Sequence, residues 1–146
     1  MPLVDNVIIQ QASTTDAGAA AFTDITSDAV DTANCEGVLF IVSFGTITAS
    51  AVTSIKLTQC DTSGGSYADL AGTAQTVADT HDNKTFYLDV VRPREQFLKL
   101  VVDRGTANAV VGPIIAIKYG CGNQPTTQGT NVQGGETFLW PAEGTA

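Results

Sequence analysis

At 146 residues, with 15% of them charged and 43 of them Val, Ile or Thr, the chain has room for one domain, and its stiff β-branched side chains favour pleated sheet over helix. Seven Lys and Arg against fifteen Asp and Glu leave a formal charge of −8, and such an acidic field repels phosphate and disfavours nucleic-acid binding. The longest apolar run, Val38–Val42, is too short to span a bilayer, and Met1–Asp5 lacks the basic and apolar regions of a signal peptide.

In chain order, Asp5–Gln11 reads as a first short strand. The Ala/Thr/Gly stretch through Ala21 reads as a loop leading into Phe22–Ile25. The alanines admit a helix over 16–25, against which Gly18 and the threonines weigh. Asp28–Asn34 is polar and loop-like. Gly37–Phe44 is a continuous apolar run of strand length, suited to a central strand covered on both faces or lying in a sandwich core. Ser54–Cys60 alternates, with Ile55 and Leu57 on one face and Lys56 and Thr58 on the other, the pattern of a half-buried strand.

Asp61–Ser66 is a turn cluster, after which Tyr67–Leu70 returns and Ala74–Ala78 adds a short piece. Beyond the polar turn Asp79–Lys84 come Thr85–Val91 and Gln96–Asp103, separated at Pro93, which cannot donate to a ladder. Val110–Val111 and Pro113–Gly120 close the set. Short strands with frequent turn signals predict an all-β, antiparallel β-sandwich of jelly-roll-like form, a single domain with extended terminal arms. Its parts are an N-terminal strand and acidic arm region (1–37), a sandwich core (38–120) and a C-terminal extended arm (121–146).

Three widely spaced cysteines, Cys35, Cys60 and Cys121, are odd in number and fit neither a disulfide framework nor a metal motif, so buried reduced thiols are expected. From Cys121 to Glu136 the chain is polar and poor in apolar side chains, then ends in Phe138-Leu139-Trp140-Pro141 with the only Trp. Two readings stand: the tip folds back onto its own domain, or it docks on a neighbouring subunit. Arg92 and Arg94, flanking Pro93, are read either as a solvated corner paired with acids such as Glu95 or as a subunit contact, where Arg is enriched.

Catalytic signals are weak. The single His81 lies in the turn Asp79-Thr80-His81-Asp82, no Gly-x-Ser-x-Gly elbow exists, and Gly64-Gly65 is not followed by a phosphate-binding helix. Asp79, Asp82 and Asn83 could supply oxygens to a Ca²⁺ but lack the alternation of a dedicated loop. A non-enzyme without cofactor or metal is expected.

The stretches Ser54–Asp61, Gly64–Leu70, Asp79–Val91, Val90–Ala109 and Ile114–Gly120 resemble small structural proteins of tailed phages over residues 38–120. The resemblance implies a virion component, most specifically a capsid cement or decoration protein, made in the bacterial cytoplasm and bound to the outside of the shell. Its implied partners are the major capsid protein and further copies of itself, as a homotrimer, with no nucleic acid and no membrane. The candidate interface residues, read from the residues themselves, are Arg92, Arg94, Phe138, Leu139 and Trp140. Two other roles share the β content: a tail or fibre module binding host carbohydrate, and a head–tail or tail-tube subunit.

Overall fold

The computed structural model describes residues 2–13, 23–140 and 142–144. The expected loop through Ala21 and most of the alternative helix over 16–25 fall outside the described residues. A short 3₁₀ turn, Leu3–Asp5, precedes strand β1 (Val7–Gln11); β2 (Ile25–Thr26), β3 (Val30–Asp31), β4 (Gly37–Ile47) and β5 (Thr53–Cys60) follow. After these come β6 (Ala68–Asp69), β7 (Gln75–Val77), a 3₁₀ turn at Asp79–His81, β8 (Thr85–Val91), β9 (Phe97–Asp103) and β10 (Ala109–Tyr119). Among the described residues no helix is long and apolar enough to cross a membrane.

Every pairing is antiparallel. Sheet A has the order β1-β10-β4-β8, and sheet B the order β2-β9-β5-β6, with β3 also on β9 and β7 also on β5. Strands β2 and β3 follow one another along β9 as a single interrupted strand. The gap is closed by Ser27, whose Oγ accepts from Leu100 N at 2.9 Å while its own N–H donates to Leu100 O. β6 and β7 relate to β5 in the same way, with Thr73 Oγ1 accepting from Leu57 N at 3.0 Å. Merging each pair leaves two four-stranded sheets in which the first four and the last four merged strands alternate. This is the order of a jelly roll, and the expected antiparallel sandwich is the observed fold.

The core lies between the sheets and follows the period-2 rule. Val38, Phe40, Val42 and Phe44 of β4 and Ile114 and Ala116 of β10 face Ile55 and Leu57 of β5 and Leu98, Leu100 and Val102 of β9, all buried. Each such large side chain contributes roughly 1.5–3 kcal/mol by leaving water.

Two departures from the sequence reading, and one buried charge outside it, have plain causes. Asp28–Asn34 is not all loop, because Val30, with no exposure at all, pairs with Leu98 and seats β3 against the core. The two closing pieces are one strand, β10, with register shifts between Ala109 and Ile114; Pro113 sits in that irregular stretch, where a missing donor costs little. Arg104, just past β9, is fully buried. Its Nε donates to Thr23 O at 2.8 Å, Nη2 to Thr23 Oγ1 at 3.3 Å and Nη1 to Ala109 O at 3.4 Å. The guanidinium thus ties the approach to β2 to the start of β10, and hydrogen bonding is what makes its burial tolerable.

Candidate functional site

Cross-strand partners share a face, so the registers of sheet A define its outer surface. One row runs Tyr87–Ile41–Ile115–Gln11, the next Asp89–Leu39–Ile117–Ile9, and a third Val91–Gly37–Tyr119–Val7. Asp89 is the one charged residue in these rows. Tyr87 and Val91 are 67% and 57% exposed, and Ile9, Leu39, Ile41, Ile115 and Ile117 are half-buried. The continuous apolar runs of β4 and β10 therefore mean two apolar faces, one in the core and one turned outward. The outer surface of sheet B is different in kind. It carries Lys56, Asp69, Lys99 and Asp103, with Lys56 Nζ 2.9 Å from Asp69 and Lys99 Nζ 4.2 Å above the Tyr67 ring.

Within the third row, Tyr119 lies across Gly37, where any β-carbon would collide with the phenol, and its Oη donates to Asp89 Oδ1 at 2.8 Å. Burial first, then this bond and the charges of Asp89 and Glu36, push the Tyr119 phenol up to about 12 from 10.0. A raised folded-state pKa contributes stability that is complete below pH 10 and lost as pH rises through about 12. Following phenolate absorbance against pH, Tyr119→Phe should remove the latest ionising phase. If that phase survives the substitution, Tyr119 does not own it.

The C-terminal segment is not a free tether over its first part. Thr126 N donates to Asp5 O at 3.1 Å, and Thr126 Oγ1 donates to Val7 O at 2.7 Å. Gln128 Nε2 donates to Val7 O at 3.0 Å while Oε1 accepts from Ile9 N at 2.8 Å. Gly129 N then donates to Ile9 O at 3.2 Å and Asn131 Nδ2 to Gln11 O at 2.8 Å. The Gln128 carboxamide thus stands in for the peptide group of a fifth strand, and the open edge of β1, which would invite pairing with another chain, is covered. Beyond Val132 the described residues, 133–140 and 142–144, are exposed. A groove of about 370 Å³ between β1 and the arm is lined by residues including Val4, Ile9, Gln128 and Val132. At the tip, Phe138, Leu139 and Trp140 are 70%, 83% and 91% exposed, so the tip does not fold back onto its own domain.

Arg92 and Arg94 sit on the link from β8 to β9, where the chain passes from sheet A to sheet B, both exposed. Arg92 donates its backbone N–H to Glu36 O at 2.7 Å, and its Nη2 lies 3.8 Å from the Glu36 carboxylate, so its acidic neighbour is Glu36 and not Glu95. The arginines and residues including Thr32, Glu36 and Gln96 line an open cleft of about 550 Å³. They stand beside β8, at the opposite edge of sheet A from β1 and the arm, so the sequence-predicted interface residues form two separate groups.

The cysteines depart from the expected reduced state. Cys60 is free and buried, but Cys35 and Cys121 form a disulfide. Gly37 pairs with Tyr119, and one cysteine lies two residues before the first while the other lies two after the second, so continuing the ladder brings them opposite each other. An odd total shows that not all thiols pair, and says nothing about whether two do.

In the 79–84 turn the polar side chains hold loops. Asp79 Oδ2 accepts from Ser50 N at 2.8 Å and Asp82 Oδ1 from Ile47 N at 2.7 Å, fixing the link between β4 and β5. His81 Nδ1 accepts from Ala78 N at 3.1 Å, and its ring leans on Phe86. Among the described residues no three His, Cys, Asp or Glu side chains gather as metal ligands would.

No family model matches the sequence, and no curated protein matches it. Among solved structures, the coat protein of Tobacco streak virus is similar with 11% sequence identity and a TM-score of 0.38, over 92% of this chain and 98% of that chain. Likeness at that level assigns neither a family nor a role.

Proposed function

We propose that this chain is a structural subunit of a tailed-phage particle, bound to the outer surface of the capsid as a cement protein that stabilises the shell. One observation carries the reading: the outer face of sheet A is nearly uncharged and largely apolar, and the apolar tip of the arm anchored beside it is exposed. Exposed apolar patches on a soluble domain mark contact surfaces. The polar side chains of the 79–84 turn, the natural place to seek chemistry, are occupied in fixing the β4–β5 link. Jelly rolls serve capsid proteins, lectins and cupins alike, so the role rests on the surface and not on the fold. The sequence resemblance over residues 38–120 points the same way.

In this role the partners are the major capsid protein and further copies of the chain, as a homotrimer, and no catalytic step is involved. A mass-spectrometric copy count in purified particles, set against the major shell protein, tests it. Near-stoichiometric abundance is the expected result. A few copies per particle would move the chain to the tail or the head–tail connector, and absence from particles would end the proposal.

A further inference from the structure

We infer that the outer face of sheet A receives the Phe138-Leu139-Trp140 tip of a second copy of this chain, so that the copies are joined by exchanged arms. The inference rests on the assembly role proposed above and names the partner of its two apolar elements.

The first argument is electrostatic. A chain of net charge −8 resists self-association unless the joined surfaces are near-neutral. Here the receiving face carries Asp89 alone, and that carboxylate accepts from Tyr119. The segment Val132–Trp140 carries only Glu136. Sheet B, with its lysines and aspartates, offers no comparable surface.

The second argument is reach. Val132 is the last half-buried residue of the arm. From there the chain can extend about 26 Å to Trp140 at roughly 3.3 Å per residue, well beyond the roughly 15 Å that separates the outer strands of a four-stranded sheet. The Gln128 and Asn131 side chains hold the arm's base on β1, Gly134–Thr137 still line the groove beside Val4 and Ile9, and the apolar side chains that follow, Phe138, Leu139 and Trp140, are exposed.

The third is area. Burying Phe, Leu and Trp removes roughly 500 Å² from the tip and a similar amount from the face formed by Ile9, Leu39, Ile41, Tyr87, Ile115 and Ile117. One such contact, at ~1,000 Å², falls short of a stable interface, whereas in a closed ring each copy makes two, one as donor and one as receiver, and so buries ~2,000 Å², the range of standard complexes. Each copy supplies both halves, so the exchange can close.

The test uses the full-length disulfide-bonded chain in sedimentation equilibrium, with the emission of Trp140, the only Trp, as a direct reporter of tip burial. The wild type should self-associate, with Trp140 emission shifting red on dilution in step with dissociation. A tip variant (Phe138→Ala with Trp140→Ala) and a face variant (Ile41→Lys) should each associate at least about thirtyfold more weakly. Mixing the two should give at most a weak one-to-one pair and no wild-type association, since the face variant's tip can enter the tip variant's face but the return contact cannot form. Should Ile41→Lys fail to fold, Tyr87→Lys at the exposed edge asks the same question. A monomeric wild type overturns the inference, as does an oligomer indifferent to both variants, or a Trp140 that is buried in the monomer. A monomer that still occupies particles in many copies would remove the exchange and leave the virion role standing. Self-association by a chain absent from particles would do the reverse.

Discussion

Replacing Cys35 and Cys121 together by serine will lower the unfolding free energy by about 4 kcal/mol and the melting temperature by roughly 12 °C. The two residues are 86 positions apart, so the bond closes a loop holding most of the sandwich, and the unfolded chain loses much of its freedom when that loop is closed. The native geometry already favours the pair, because the β4–β10 ladder places both strand ends together with or without the sulfur bond. The double variant should therefore keep its fold, and a thiol reductant should lower the melting temperature of the wild type while leaving the variant unmoved. Equal melting of the wild type with and without reductant would show that the bond contributes nothing.

The second large effect separates the anchored and projecting parts of the arm. A chain ending at Gly120 loses Cys121 and, with it, the disulfide. It also loses the Thr126, Gln128, Gly129 and Asn131 hydrogen bonds that cover the β1 edge. Losses of about 4 kcal/mol from the loop and ~0.5–1.5 kcal/mol per net hydrogen bond approach the whole stability of an ordinary domain, roughly 5–15 kcal/mol. That chain should be largely unfolded or close to it. A chain ending at Val132 keeps both features, discards, among the described residues, only exposed ones, and should unfold within about 0.5 kcal/mol of the full length. Chemical denaturation of the two truncations gives the comparison. Equal stability would mean that the contacts along β1 hold nothing in place.

The strands were legible wherever side-chain chemistry repeats. Thr85–Val91 coincides with β8, and alternation around Ile55 and Leu57 marks β5, because a half-buried strand writes its period into the sequence. β3 was hidden because a two-residue strand needs only one apolar side chain, Val30, among polar neighbours. Nothing local to Arg104 reveals that Thr23, 81 residues earlier, accepts from it. Gln128 was equally silent, since an amide that imitates a peptide group leaves no pattern.

For the candidate surface, the signal was present in part. The apolar run Gly37–Phe44 reads as a strand covered on both faces or lying in a sandwich core, and its outward members Leu39 and Ile41 only become a surface once β10 is known to lie beside them with Ile115 and Ile117. Pairing between distant strands is not encoded within either one. The apolar tip was visible because Phe138-Leu139-Trp140 interrupts a polar tail. Its exposure depends on the Thr126–Asn131 contacts, which only the folded chain contains.

The central claim is that this domain is held on a particle by copies joined through their arms, and the occupancy of the Val132-terminated chain on purified particles, relative to full length, tests it most directly. Because that truncation leaves the body folded, the account predicts near-complete loss of occupancy with unchanged melting. Undiminished occupancy would contradict it.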